Sequence, residues 1–265
     1  MTEGDRMFDT GKVAIVTGAG PGMGRSIAVE LARQGVDVVI ASRRIERLEA
    51  VADDVRAAGR EPLVMPVDIT DRASCRRLLD ATVDRFGRLD VLVQNAHHEG
   101  DWAPVVEADP DEWRTVFDVN LFGALHLVQL CVPPMRDCGG GAIVLLNSGA
   151  ALRNPPRMAA YSASKSALAA LARTLALEVG GWGIRVNGVF LGPVAGENLH
   201  RLGAGAAAAS GTTVDEWLVD KATEMALGSV PTPDECARPV VFLASDYAGQ
   251  VTGQHLSVNG GQWCT

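Results

Sequence analysis

Tyr161 and Lys165 are four residues apart in the run Tyr-Ser-Ala-Ser-Lys, and Ser148 lies thirteen residues upstream of the tyrosine. On a helix, this spacing places both side chains on one face, one turn from each other. An ammonium ~4 Å from a phenol, at an effective dielectric of ~20, favours the phenolate by ~4 kcal/mol, or roughly three pKa units. Such a shift would produce a general acid and base that works near neutral pH. The same spacing is also typical of a packed ring beside a solvated amine, so the elements around the pair must decide.

A phosphate-binding turn is predicted near the start of the chain. The apolar run 12–17 is typical of a buried strand, and the glycine-rich turn 18–24 and a helical pattern over 25–34 follow it. Glycines let a ligand approach the backbone closely, and a helix N-terminus offers free amides and a positive dipole end. Strand, turn and helix in this order predict a dinucleotide site. Its predicted contacts in the turn are Gly18, Gly22, Met23 and Gly24.

The residues that follow the second predicted strand, 36–41, indicate which dinucleotide fits. A carboxylate there would accept the ribose hydroxyls and repel a 2′-phosphate. This chain has Ser42, Arg43 and Arg44 instead, and Asp37 lies at the opposite end of the strand. The pattern favours NADP(H), and NAD(H) stays possible. In the alternative interpretation, both arginines are surface residues that pair with acidic residues of the next helix.

Strands alternate with helices along the rest of the chain, with further strands predicted at 63–67, 89–93, 142–146, 184–189 and 255–258. This alternation predicts an α/β fold: a single-domain, doubly wound, mainly parallel sheet of about seven strands with helices on both faces. Ligands of such sheets bind at the carboxyl ends of the strands. The further contacts predicted at these ends are Asp68, Ile69, Asn95, Ala96, Ser148, Pro193 and Val194.

Two segments between the strands have unusual composition. A long helix is predicted to begin at Pro110 and to end at Pro133-Pro134, with Asn120 in its middle. An asparagine inside a helix is locally unfavourable, so we expect its side chain to have a partner. Regular patterns fail over about 194–228, which we predict to be a substrate-covering lid segment. Its small residues, 203–211, predict a mobile loop.

The bulk composition excludes several classes of function. Lys and Arg total 24 against 32 Asp and Glu, so the formal charge is −8, which argues against nucleic acid and anionic membranes as partners. Five scattered cysteines without a CxxC motif predict reduced thiols in a cytoplasmic protein and no metal site. Residues 1–10 are polar and acidic and predict a flexible tail before one domain, 11–265.

The combined motifs resemble those of the short-chain dehydrogenase/reductase family, in order and in spacing, over residues 11–262. They are Thr17-Gly18-x-x-x-Gly22-x-Gly24, Asn95-Ala96, Asn120, Ser148 and Tyr161-x-x-x-Lys165. The resemblance implies hydride transfer between a nicotinamide and a carbon that bears oxygen. It implies that Tyr161 is the general acid and base, and that Lys165 lowers its pKa and holds the nicotinamide ribose. It also implies that Ser148 donates to the substrate carbonyl oxygen.

The resemblance further implies that Asn120 holds a water between Lys165 and solvent. Family members often assemble through the two long helices that contain Asn120 and Tyr161, so a homo-oligomer, a tetramer or a dimer, is expected. The sequence departs from the family at three places. The family's glycine after Asn95-Ala96 is His97, followed by His98, and its Pro-Gly after the sixth strand is Leu191-Gly192. A threonine that often follows is Gly196.

The substrate is predicted to be a small-molecule ketone or secondary alcohol. We predict that His97 or His98 lines its pocket, the alternative being a solvated loop histidine. An apolar pocket for a cyclic or aromatic group could be formed by Trp102, Leu152, Met158 and Trp217. Besides an NADP(H)-dependent oxidoreductase, the sequence allows an NAD(H)-dependent alcohol dehydrogenase and a nucleotide-binding protein without turnover. It also allows an epimerisation or dehydration on a bound nicotinamide.

Overall fold

A computed structural model describes residues 7–264. Its centre is one sheet of seven parallel strands in the order β3-β2-β1-β4-β5-β6-β7. The strands are β1 Val13–Thr17, β2 Asp37–Ser42, β3 Leu63–Pro66, β4 Val91–Gln94, β5 Gly141–Ser148, β6 Ile184–Leu191 and β7 His255–Val258. Because the strand order reverses between β1 and β4, the carboxyl ends of these two strands form the usual ligand position of such sheets. The predicted doubly wound fold is confirmed.

Helices cover both faces of the sheet. They are α1 Met23–Arg33, α2 Glu46–Ala57, α3 Arg72–Phe86, α4 Pro110–Phe117, α5 Gly123–Asp137, α6 Ala150–Arg153, α7 Ala159–Val179, α8 Glu197–Ser210, α9 Val214–Thr223 and α10 Pro233–Ala244. On one face, α1, α2 and α10 pack through side chains such as Ile27 and Leu48. On the other, α3, α5 and α7 pack through side chains such as Leu78 and Leu127. The strands are buried from both sides, which explains their near-continuous apolar sequences.

The long helix does not end at Pro133-Pro134, so this prediction was wrong. Helix α4 continues through a π-helical turn, Asp118–Phe122, into α5, which includes both prolines. A proline inside a helix removes one backbone hydrogen bond and crowds the preceding turn. Here packing in the core keeps the segment helical, because the residue after the prolines, Met135, is fully buried.

The prediction of a mobile loop at 203–211 was also wrong. Helix α8 includes this run up to Ser210, and Gly211 ends it in the left-handed conformation, with a φ of 71°. Five of the six residues at 204–209 are alanines, and alanine has the highest helix propensity of all residues. Residues 194–228 therefore contain two helices, α8 and α9.

The predicted flexible tail, 1–10, is only partly described, since residues 1–6 lie outside the described range. The residues that follow are packed on the domain. Phe8 is buried, and the Asp9 amide donates to Oδ2 of Asp246 at 3.1 Å. In return, the Asp246 amide donates to the carbonyl oxygen of Met7 at 3.1 Å. Residues 7–9 of the predicted tail are therefore held against the domain.

One helical stretch in residues 7–264, Pro110–Asp137, is long and apolar enough to cross a membrane by length and composition alone. Half of its most apolar part is buried within the fold, where α4 packs on α7 and α5 packs on α3. Core helices of globular proteins have the same length and composition. We therefore interpret this stretch as a core helix.

Candidate active site

A cleft of about 930 Å³ follows the carboxyl ends of β1, β2 and β4. Most predicted cofactor residues and both predicted histidines line it, namely Gly18, Gly22, Met23, Gly24, Ser42, Arg43, Arg44, Asp68, Ile69, Asn95, Ala96, His97, His98 and Val194. Pro193 is half-buried beside Val194. The cleft extends from the arginines after β2 to the histidines after β4, and Ser148, Tyr161 and Lys165 are not among the residues that line it.

The glycine turn between β1 and α1 fits a phosphate group. Gly18 has a φ of 62°, and a Cβ at this position would lie 2.7 Å from the backbone of Ala96. A Cβ at Gly24 would overlap the carbonyl oxygen of Gly18. Helix α1 begins at Met23 with no side-chain cap and no acidic residue in its first turn. Its first amides and positive dipole end are therefore open to the cleft, as the pyrophosphate of a dinucleotide requires.

The end of β2 presents guanidinium groups to the cleft. Arg43 and Arg44 are exposed, and neither takes part in the ion pairs within residues 7–264. The alternative interpretation required ion pairs between these arginines and acidic residues of α2, and such pairs are not observed in the described part of the chain. The Ser42 hydroxyl donates to the carbonyl oxygen of Arg44 at 3.2 Å. Asp37 lies at the other end of the strand, where it pairs with Arg60 at 3.5 Å.

Asp68 follows β3 and is held in its own turn. Its Oδ1 accepts hydrogen bonds from the Thr70 amide at 2.9 Å and from the Thr70 hydroxyl at 2.7 Å. Burial alone would raise the pKa of this carboxyl, but the two bonds and the Arg43 guanidinium together lower it. Asp71, not Asp68, caps α3 by accepting from the Ala73 amide. Asp68 is therefore an ionised acceptor in the cleft wall.

Three predicted catalytic residues come together at the end of β5. Ser148 is the last residue of this strand, and α7 places Tyr161 and Lys165 one turn apart. The Ser148 side chain lies beside the Tyr161 phenol and acts to lower its pKa. The Lys165 Nζ lies 5.7 Å from the centre of the Tyr161 ring and donates to the carbonyl oxygen of Leu146 at 2.8 Å. Both Tyr161 and Lys165 are buried.

Burial dominates the proton affinities of this cluster. It raises the pKa of Tyr161 above the usual value of a phenol, and the neighbouring Ser148 side chain only partly opposes this shift. It also lowers the pKa of Lys165 to about 7. The sequence predicted a lowered tyrosine pKa from a lysine charge ~4 Å away. In the structure the ammonium binds the Leu146 carbonyl instead and is itself partly discharged at neutral pH, so the predicted shift is not observed.

Asn120 lies in the π-helical turn and is fully buried. Its Oδ1 accepts from the backbone amide of His98 at 2.8 Å, and its Nδ2 donates to the carbonyl oxygen of His98 at 2.9 Å. The same Nδ2 lies 2.9 Å from the hydroxyl oxygen of Ser164, which in turn donates to the Tyr161 carbonyl oxygen. The expected partner of this asparagine is thus the backbone of residue 98. Asn120 joins the loop after β4 to the catalytic helix.

The two histidines of this loop differ in their surroundings. The His98 Nε2 lies 2.9 Å from Oε1 of Glu112, on α4. The His97 Nδ1 lies 3.2 Å from the carbonyl oxygen of Asn95, and His97 lines the cleft. Glu99, next in the chain, pairs with Arg201 of α8 at 3.6 Å. The loop therefore contacts both the core and the lid segment.

The residues predicted to contact the substrate are more scattered. Trp102 and Leu152 are exposed, and Met158 is half-buried just before α7. The ring of Trp217 packs against Gly203 within the lid segment, and it is not among the residues that line the cleft. Their contact with a substrate stays a prediction.

The sequence analysis missed two residues, Trp263 beside Gly149 and Arg157 beside Trp102. The Trp263 ring packs against Gly149, directly after Ser148, and against Gly192. Arg157 has a φ of 71° and donates to the carbonyl oxygen of Trp102 at 3.0 Å. Strained backbone of this kind concentrates near functional sites. An aromatic residue just beyond the closing Gly260-Gly261 was the only sequence signal for Trp263.

Comparisons with known proteins agree with this arrangement. Residues 12–206 match the model of the short chain dehydrogenase family. The chain is 38% identical to an uncharacterised NAD-dependent oxidoreductase of Mycobacterium tuberculosis, over 95% of each chain. It is 31% identical to the 7alpha-hydroxysteroid dehydrogenase of Escherichia coli K12, over 98% of each chain.

A solved structure agrees as well. An actinorhodin polyketide ketoreductase, crystallised with NADPH, superposes with a TM-score of 0.89 at 30% identity, over 95% of this chain and 97% of that one. The motifs, the sheet order and these similarities together lead to one conclusion. The chain belongs to the short-chain dehydrogenase/reductase family of oxidoreductases, which act on alcohols and ketones.

Proposed function

We propose that this protein is an NADP(H)-dependent oxidoreductase that interconverts a ketone and a secondary alcohol with an apolar, cyclic or aromatic body. The observation that carries the proposal is the placement of Ser148 at the end of β5 with Tyr161 and Lys165 on α7, beside a cleft that fits a dinucleotide. When bound, the nicotinamide supplies or accepts the hydride. The rest of the reaction is proton transfer and charge stabilisation, which side chains perform.

In this proposal Ser148 and Tyr161 both bind the oxygen of the reacting carbon. Ser148 donates a hydrogen bond that stabilises the charge developing there. Tyr161 transfers the proton, and its raised pKa keeps the phenol protonated, which is the state needed to reduce a ketone. Lys165 holds the nicotinamide ribose, and its pKa of about 7 lets it exchange protons at neutral pH. Asn120 positions the loop that faces these groups and lies on their path to solvent.

NADP(H) is the proposed cofactor because the end of β2 offers cations and no carboxylate. Arg43 and Arg44 are free of internal ion pairs within residues 7–264, and a 2′-phosphate is a good acceptor for guanidinium groups. Asp68 would accept from the adenine amino group. Relatives differ in this property: the mycobacterial one is named NAD-dependent, and the ketoreductase was crystallised with NADPH. NAD(H) is the alternative.

An apolar substrate body is supported by the Trp263 ring beside Gly149, next to Ser148, and by the hydroxysteroid dehydrogenase among the relatives. Trp102, Leu152, Met158, Trp217 and Trp263 are the proposed apolar contacts. We also propose a cytoplasmic homo-oligomer. Leu177 on α7 and Phe122, before α5, are 87% and 47% exposed, as expected for helices that a second copy covers. Light scattering of the purified protein would measure its mass, and a monomer would contradict this part.

The test is an absorbance assay of the nicotinamide with purified protein, NADPH or NADH, and a panel of cyclic and aromatic ketones. We expect NADPH oxidation with at least one ketone, at a higher kcat/KM than with NADH. Binding of NADPH without oxidation across the panel would instead indicate a nucleotide-binding protein. Conversion of a substrate without net change in the cofactor would indicate epimerisation or dehydration. A higher kcat/KM with NADH would overturn the cofactor assignment alone.

A further inference from the structure

His97 occupies a position where the family usually has glycine, so its imidazole adds a group to the cleft. It lies at the β4 end of the cleft, between Ala96 and His98 in the lining. Asn120 joins the backbone of the next residue, His98, to Ser164 on α7, which places His97 on the side of the proposed reaction centre. The roles proposed for Ser148, Tyr161 and Lys165 leave this imidazole without a function.

The backbone on both sides of His97 is held in place. The hydroxyl of Thr17 accepts from the amides of Asn95 and Ala96 at 3.2 and 3.4 Å, and the Asn95 side chain donates to the carbonyl oxygen of Gly18 at 2.8 Å. On the other side, Asn120 binds both the amide and the carbonyl of His98. A ring that projects from so fixed a loop is preorganised for recognition.

The contact of Nδ1 determines what the other ring nitrogen can do. The carbonyl oxygen of Asn95 can only accept, so at 3.2 Å the Nδ1 of His97 must carry the proton. In the neutral ring, Nε2 then has no hydrogen and is an acceptor. His98 is different, because its Nε2 is already bound to Glu112. His97 therefore presents a hydrogen-bond acceptor to the cleft, and His98 does not.

The surrounding charges keep this ring neutral. Loss of water between the cleft walls and repulsion by Lys165 both lower the pKa of His97, and His98 adds to the repulsion. The Asn95 carbonyl and the Glu99 carboxylate act in the opposite direction but do not reverse the shift. At pH 7 the Nε2 of His97 is therefore unprotonated.

We propose that His97 is a specificity-determining residue whose Nε2 accepts a hydrogen bond from a second hydroxyl group of the substrate. The preferred substrates are then diols and hydroxyketones, in which one oxygen reacts at Tyr161 and the other binds His97. This inference rests on the proposed function, because it presupposes turnover at Ser148 and Tyr161. A site built to bind a hydroxyl discriminates strongly against analogues that cannot donate to it.

The test compares the oxidation of trans-cyclohexane-1,2-diol with that of trans-2-methoxycyclohexanol, whose second oxygen can only accept. For the wild type at pH 7 to 8 we expect a kcat/KM for the diol at least ~10-fold higher. His97→Asn can keep the donation to the Asn95 carbonyl but has no atom at Nε2, so the ratio should fall to about one. His97→Gln places an amide oxygen near that position and should restore part of the preference.

A matched control is His126→Asn. The His126 Nδ1 also lies 3.2 Å from a backbone carbonyl oxygen, that of Ile69, but His126 does not line the cleft. Its variant should keep the wild-type ratio. Acidic pH supplies a second readout in the wild type, because protonation makes Nε2 a donor. The kcat/KM for the ether should then rise relative to that for the diol as the pH falls below the pKa of His97. This relative rise should be absent in His97→Asn.

An unchanged ratio in His97→Asn would overturn the inference. The inference would also be overturned if His97→Asn lowered kcat/KM equally for both substrates and raised the KM for the nucleotide, since His97 would then bind the carboxamide of the cofactor. Turnover of simple ketones without any preference for the diol would also overturn it and leave the proposed function intact. A wild type that oxidises or reduces nothing with either nucleotide would overturn both.

Discussion

The two sides of the candidate active site are built in different ways. The side that carries Ser148, Tyr161 and Lys165 belongs to β5 and α7, in the core, and its polar groups are bound by neighbouring backbone. Lys165 donates to the Leu146 carbonyl, and the Asn147 side chain donates to the carbonyl of Lys165. The other side is the lid segment, where α9 has no buried residue.

The lid segment is joined to the cleft by surface contacts. Glu197 of α8 lies 3.8 Å from Arg47, and Arg201 lies 3.6 Å from Glu99. Exposed ion pairs of this kind contribute about 0–1 kcal/mol each. The proton-handling side is therefore held by core packing, whereas these ion pairs by themselves hold the covering side only weakly. We expect chemistry to depend on the first side and substrate access on the second, and four experiments test this division.

The largest effect should follow from Tyr161→Phe, which removes only the proton-transferring hydroxyl from the buried side. We expect kcat to fall by about a thousandfold or more, since general acid–base catalysis contributes roughly 10²–10⁴. Binding of NADPH, measured by fluorescence titration, should change little. Tyr247, the other tyrosine of the chain, is 61% exposed, and Tyr247→Phe is the matched control. Wild-type rates in Tyr161→Phe would contradict the mechanism.

Lys165→Met should abolish turnover and yet stabilise the fold at pH 7. Burial lowers the pKa of Lys165 from 10.5 to about 7. Between these values the unfolded chain binds more protons, so this residue makes the free energy of unfolding rise by about 1.4 kcal/mol per pH unit. Below pH 7 this lysine is protonated in both the folded and the unfolded state, and the deficit in stability that its burial causes is constant.

The variant removes this deficit, and we expect a gain of roughly 2–4 kcal/mol at pH 7, after subtraction of the lost bond to Leu146. Urea unfolding at pH 7 and pH 9 measures it. The gain over wild type should shrink at pH 9, because the wild type itself is stabilised there. A variant that is less stable than wild type at both pH values would show that neighbouring groups offset the cost of burying the ammonium.

A smaller effect is expected at the adenosine end of the cleft. Arg43→Ala should weaken NADPH binding about tenfold, because one charge-assisted contact to the 2′-phosphate is lost. NADH binding should stay within about twofold. Arg33→Ala, on the opposite end of α1, is the control, because Arg33 pairs with Glu30 and does not line the cleft. Equal losses for both nucleotides in Arg43→Ala would show that Arg43 does not read the 2′-phosphate.

The smallest effect compares two identical helix caps. Thr213 and Thr232 each form a capping box with the glutamate three residues later, at the start of α9 and of α10. Either Thr→Ala change should cost its helix about 1 kcal/mol. Helix α10 packs in the core, so Thr232→Ala should lower the free energy of global unfolding by this amount. Helix α9 is unburied, so Thr213→Ala should only speed its amide hydrogen exchange. A global loss in Thr213→Ala would show that the lid segment folds as part of the core.

Sequence patterns alone determined the parallel fold, the phosphate-binding turn and the family. The evidence for them is local: apolar runs such as that of β1, the glycines before α1 and the four-residue spacing of Tyr161 and Lys165. Each of these signals depends only on residues that are close together in the sequence. For the same reason the helix over 203–210 could have been predicted, since its alanines favour a helix wherever they lie. The catalytic and binding roles of single residues stay predictions.

Only the tertiary structure decided the electrostatics of the site and the different roles of the two histidines. Asn120, 22 residues away, binds the backbone of His98, and Glu112 binds the Nε2 of the His98 ring. Of the two histidines, therefore, only His97 presents its Nε2 to the cleft. The same holds for Lys165, whose ammonium turns to the Leu146 carbonyl and leaves the pKa of Tyr161 raised. Burial and hydrogen bonds between distant residues set these properties, and no local pattern encodes them.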